Sequence, residues 1–152
     1  MKIKIYTINK KDHKELYNPL IEHYQKVIKK FAKVEVIDIF NNEISKAQDI
    51  SPIAAQESYT KSLTRYIGGF SIVLDPKGKM VDSFEFANLL KDKSSVTFFI
   101  GGAFGFEEKF IKLCNKSVSF GKITISHKLI KVVLLEQIFR GLSIINNHPY
   151  HK

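Results

Sequence analysis

The chain has 152 residues, 44% of them hydrophobic, which suits a single cored domain over residues 1–152 and excludes a disordered chain. Its 24 basic against 15 acidic residues leave a net charge of +9, a field that attracts polyanions, RNA above all. A lone cysteine, Cys114, excludes a disulfide framework and a cysteine-based zinc site.

Residues 2–8 alternate apolar and polar groups and are expected as a strand. Residues 12–31 place Leu16, Leu20, Tyr24, Val27, Ile28 and Phe31 at helical spacing, with a break or late start at Pro19. Residues 34–40 read as a second strand. Residues 41–52 are polar without a strong period and are expected as an irregular excursion. A helix over 53–66 ends at Gly68 and Gly69, and the apolar run 70–74 reads as a strand covered on both faces. Asp75-Pro76-Lys77-Gly78 signals a turn. Asp82 caps the next helix, with Glu85 at the reciprocal position. Then come a strand at 96–100, a glycine-rich loop, a helix at 107–115, a short strand at 118–120, a loop at 121–127, a helix at 129–145 and a tail. Five strands alternating with five helices predict an α/β fold with a mostly parallel sheet flanked by helices.

Residues 1–8 alternate charge with apolar groups, where an export signal needs an unbroken apolar run. No apolar stretch approaches the roughly 18 residues of a membrane span. The expectation is a cytoplasmic protein with no membrane partner. No spacing of His, Asp and Glu matches a metal-ligand set, so no metal is expected.

Charge concentrates late: residues 101–152 carry 8 basic and 3 acidic groups. In open parallel sheets, ligands bind beyond the carboxyl ends of the strands. The loops at 74–79, 101–106 and 120–127 occupy those places. The second, Gly101-Gly102-Ala103-Phe104-Gly105, matches neither phosphate-binding glycine pattern, and Glu107-Glu108 at the following helix repels phosphate. A cofactor without phosphates fits better, and S-adenosylmethionine is such a molecule.

The helix at 129–145 is apolar almost all round, so a dimer seam is expected along it. Glu136 and Arg140 stand four apart and are expected to pair. His127 reads as a capping or packing group, and Cys114, among Phe110, Ile111 and Leu113, as a buried thiol. The tail His148-Pro149-Tyr150-His151-Lys152 joins an aromatic, an imidazole and a cation, a combination suited to clamping RNA.

Four segments then stand in the order and spacing of one family. They are residues 100–106 (IGGAFGF), 119–127 (SFGKITISH), 135–140 (LEQIFR) and the ending PYHK, joined by VLDPKGK at 73–79 and the opening MKIKI. Over essentially its whole length the chain resembles the RlmH-type ribosomal RNA methyltransferases. The resemblance implies a SPOUT-class α/β fold with a deep C-terminal trefoil knot, and a homodimer acting on large-subunit rRNA within assembled ribosomes. The implied reaction is methyl transfer from S-adenosylmethionine to N3 of a pseudouridine. Leu74, Gly101 and Gly102, with the loop Phe120, Gly121, Lys122, Ile123, Thr124, Ile125 and Ser126, would hold the cofactor. Arg140, Tyr150, His151 and Lys152 of the partner would serve catalysis. Two other readings share the basic face: a SPOUT enzyme acting on tRNA, and a non-catalytic ribosome-binding factor.

Overall fold

The computed structural model describes residues 1–11, 14 and 16–152. Five strands, β1 (Lys2–Ile8), β2 (Lys33–Ile39), β3 (Phe70–Met80), β4 (Ser95–Ile100) and β5 (Lys116–Ser119), form one sheet in the order β2-β1-β4-β3-β5. Every neighbouring pair is parallel. The pleat sorts side chains to two faces. Ile5, Phe98 and Ile72 stand in register on one face, and Tyr6, Phe99 and Val73 on the other.

Each face is roofed by helices, which is why β3 and β4 open as unbroken apolar runs. The first face packs against α1 (Asn18–Ile28), α4 (Ser83–Leu90) and α6 (His127–Ile145), through Ile28, Phe86, Leu90, Leu134 and Ile138 among others. The second packs against α2 (Asn42–Ile50), α3 (Pro52–Leu63) and α5 (Glu108–Leu113), through Ile44, Ala55, Tyr59, Leu63 and Phe110. The result is the three-layer α/β architecture expected of the sequence.

Helix starts are chemically explicit. Asn41 Oδ1 accepts from the Ile44 amide at 2.8 Å, and Ser51 Oγ from the Ala54 amide at 3.0 Å. Asp82 and Glu85 complete a reciprocal capping box at 2.8 and 3.0 Å. Ser126 Oγ accepts from the Leu129 amide at 3.3 Å, so Ser126 caps α6 and His127 is its first residue.

Three expectations need correction. The stretch 41–52 is not irregular: it holds α2 and the start of α3. Only Ile44 and Ala47 are buried in α2, so its apolar stripe is too narrow for a period to be read. The turn residues 75–78 do not end their strand but bulge within it, and pairing with β5 resumes at Lys79 after a shift at Leu74. The Asx chemistry is present all the same, with Asp75 Oδ1 accepting from the Lys77 amide at 2.7 Å. The first helix starts late, as expected from Pro19, at Asn18 with Pro19 in its first turn; Asp12, His13 and Glu15 lie outside the described residues. Finally, α6 is not left bare. It lies between α1 and α4, and Leu129 is its one large apolar side chain counted as exposed, at 40%.

One ion pair ties this layer together. Lys131 Nζ on α6 lies 2.7 Å from Asp38 Oδ1 near the end of β2, with the lysine side chain 1% exposed and the aspartate 18%.

Candidate cofactor cleft and C-terminal tail

The carboxyl ends of β3, β4 and β5 open into a cleft of about 1140 Å³. Its walls include Leu74, Gly101, Gly102, Phe120, Gly121, Ile123, Thr124, Ile125 and Ser126. Lys122, expected with them, is not part of the wall and is exposed to solvent. Two glycines are required here by geometry. A Cβ on Gly102 would lie 2.8 Å from Tyr59 Oη and 3.0 Å from Ile8 Cγ2. Tyr59 is fully buried, accepts from Gln48 Nε2 at 2.7 Å, and its phenol is pushed above its ordinary pKa by that burial. It cannot retreat without losing its partner. Gly121 has φ +138°, which side-chain-bearing residues rarely adopt, and Ser119 Oγ brackets it, donating to its carbonyl at 2.7 Å and accepting from its amide at 3.1 Å.

The cleft walls also carry Asp75 and Glu108. Lys112, 2.8 Å from Glu108, holds that carboxyl below its ordinary pKa by hydrogen bonding and charge. Gln56 of α3 donates to the Phe104 carbonyl at 2.8 Å and steadies the glycine-rich loop. Sequence reading missed Gln56, because a polar residue on a helix gives no local sign of the loop it will meet.

The second constellation lies elsewhere. Glu136 Oε1 accepts from Arg140 Nε at 3.1 Å, Arg140 Nη2 at 2.6 Å and the Tyr150 hydroxyl at 2.9 Å. The guanidinium lies over the Tyr150 ring, 4.9 Å from its centre. His151 Nδ1 is 3.4 Å from Arg140 Nη1, and the imidazole meets the Phe84 ring edge-on at 5.1 Å. Burial, then the bond to Glu136, pushes the Tyr150 phenol up to about 12. Glu136 holds Arg140 above its ordinary value. Lys152 is exposed. The structure thus gathers Arg140 and Tyr150 around Glu136, with His151 against Arg140. The Glu136–Arg140 pair is legible as an i, i+4 spacing. The Tyr150 contact is not, because it needs the chain to turn back at Asn147, whose φ is +52°.

These two constellations sit at opposite ends of the molecule. Helix α6 runs from the cleft toward the amino ends of the strands, and Arg140 stands about 21 Å along it from Ser126 at 1.5 Å per residue. His148 Nε2 lies 2.8 Å from Lys30 Nζ, just before β2 begins. Among the described residues no cluster of three metal-binding side chains exists, and no helix is long and apolar enough to cross a membrane.

The family profile described as "Predicted SPOUT methyltransferase" matches residues 1–151. The chain belongs to this family. Members of the SPOUT methyltransferase family are methyl-transferring enzymes, so a purely structural ribosome-binding role is set aside. The chain is 65% identical to "Ribosomal RNA large subunit methyltransferase H" of Sulfurovum sp. (strain NBC37-1) over 153 residues, covering 100% of both chains. It is 49% identical to the protein of that name in Campylobacter lari over 152 residues, again covering 100% of both. The Nitratiruptor sp. protein of that name is 49% identical over 153 residues, with 99% of each covered.

Proposed function

We propose that this SPOUT methyltransferase transfers a methyl group from S-adenosylmethionine to N3 of a pseudouridine in 23S rRNA of assembled ribosomes, as a cytoplasmic homodimer. The observation that carries the reading is the cleft itself. Three strand-end loops converge there, and relatives matched over their full length are named for methylating large-subunit rRNA.

The residues present fit that cofactor. The volume accommodates it, Leu74 and Ile100 offer apolar cover for a base, and a wall of both signs, Asp75 and Glu108 beside Lys77 and Lys79, suits a molecule carrying a sulfonium, an amino group and a carboxylate. The Gly102 position, where no Cβ fits, lets backbone approach closely, as does the turn at Gly121. Bound there, S-adenosylmethionine supplies an electrophilic methyl group. The loop of residues 120–126 is part of the proposed trefoil knot.

The protein's own share of the chemistry is positioning and charge. The attacking N3 must lose its proton, and a cation beside the ring favours the deprotonated form. Arg140 on α6 and Lys152 in the tail are the cations on hand, the His151 imidazole stands beside Arg140, and Tyr150 offers a flat face and a hydroxyl to orient the base. Because the tail lies at the far end of α6, one subunit's tail serves the cleft of its partner, which makes the dimer a catalytic requirement. Glu136 holds Arg140 and Tyr150 as one unit for that purpose.

The test is mass spectrometry of rRNA from a strain lacking the gene, with methyl transfer restored by the purified protein on ribosomes. Loss of a methyl group from pseudouridine in large-subunit rRNA is expected. An unchanged large-subunit rRNA, or a methyl group missing from tRNA instead, overturns the proposal. A monomeric mass at micromolar concentration overturns the dimer.

A further inference from the structure

A second, smaller pocket of about 580 Å³ adjoins the cofactor cleft at the carboxyl ends of β1 and β2. Gly102, Ala103 and His127 line both, so the two spaces share a wall. Their charge differs. The cleft wall carries both signs, Asp75 and Glu108 beside Lys77 and Lys79. The described residues lining the pocket include Lys10, Lys11 and Lys128 and no carboxylate. Lys10 and Lys11 are exposed, on the loop that leaves β1. The polar floor is already ordered: His127 Nε2 lies 3.2 Å from Asn9 Oδ1, and Gln48 donates to Tyr59 at 2.7 Å. Asn9 is only 4% exposed. A site of fixed polar groups whose described charged neighbours are all ammonium groups suits an anion.

We propose that this pocket is a phosphate subsite for the RNA substrate, taking a backbone phosphodiester next to the nucleotide that is methylated. The proposal rests on the rRNA reading above. It gives the chain a grip on the strand within one wall of the cofactor. Lys10 and Lys11 act as phosphate contacts, and Asn9 and His127 shape the floor. The subsite positions RNA and takes no part in proton or methyl transfer.

The experiment uses the full chain and a fluorescent large-subunit rRNA stem-loop containing pseudouridine, with affinity measured across a salt series. The variant Lys10→Ala/Lys11→Ala is compared with Lys2→Ala/Lys33→Ala, which removes the same charge from the amino ends of the same two strands. The pocket variant is expected to bind roughly tenfold more weakly, with a salt slope shallower by about 1.5 to 2, because each lost phosphate contact removes about 0.7–0.9. The control is expected to change less than about twofold, as a diffuse surface charge does. Calorimetric titration with S-adenosylmethionine is expected to be unchanged in both. Equal losses in the two variants, an unaltered salt slope in the pocket variant, or a weakened cofactor titration in it each overturn the subsite. If the wild-type protein methylates no large-subunit rRNA, the rRNA reading fails, while the salt slopes on this RNA still decide whether the pocket binds phosphate.

Discussion

Replacing Lys131 with methionine isolates the contribution of the buried pair that joins α6 to β2. The lysine is 1% exposed and its partner Asp38 18% exposed, with 2.7 Å between Nζ and Oδ1. Methionine keeps most of the volume, so little of the effect is a cavity. What remains is an aspartate facing an apolar layer without its counterion. Removing one partner of a buried pair costs about 3–5 kcal/mol, and the residual exposure of Asp38 places this case near 3. With a urea dependence of about 2 kcal/mol per molar, the unfolding midpoint followed by circular dichroism falls by about 1.5 M. The melting temperature falls by about 6–12 °C. The double variant Lys131→Met/Asp38→Leu removes both charges and is expected to recover most of the loss. If the single variant loses less than about 1 kcal/mol, or the double variant is less stable than it, the pair does not hold α6 in the way its geometry indicates.

Three further outcomes follow from particular groups. Gly121→Ala adds a Cβ that meets nothing within 4 Å, so its cost is backbone strain at φ +138°, about 1–3 kcal/mol; the loop is expected to relax, weakening S-adenosylmethionine binding tenfold or more by calorimetry, and an unaltered affinity refutes this. Tyr150 is held neutral to about 12 against an ordinary 10.0, so its contact with Glu136 is fully present below pH 10 and lost as pH rises through about 12. Ultraviolet titration of Tyr150→Phe should lose a late ionisation near 12, and loss of one near 10 would contradict the tail geometry. Burial pushes the Cys114 thiol up to about 11, so alkylation at mildly alkaline pH should be far slower in the native protein than in urea; equal rates would show an open thiol.

Much of the sheet was legible because β3 and β4 announce themselves as apolar runs and β1 alternates. The capping box at Asp82 and Glu85 was legible for the same local reason: its partners are three residues apart. Helix α2 was not, since only one narrow stripe of it is buried. The cover on α6 was misjudged because it depends on α1, more than a hundred residues earlier in the chain, folding against it. At the cleft, the glycine-rich loop and residues 120–126 carry their own signature. Gln56, Tyr59 and Asn9 carry none, because tertiary packing alone brings them to it. The tail shows the same limit: the pairing of Arg140 with Glu136 is local, while the return of Tyr150 to Glu136 is not.

The strand order has a consequence for how the protein is made. The centre of the sheet is the pairing of β1 with β4, in which Lys2 lies beside Ser95. β3 is a neighbour of β4 and of β5, but of neither strand that precedes it. The first two strands therefore wait, paired only with each other, until β4 has been synthesised. At about 5–20 residues per second, that is about 3–12 s of exposed apolar edge. The lysines within those early strands, Lys2, Lys4 and Lys33, stand where charge discourages that edge from finding a wrong partner.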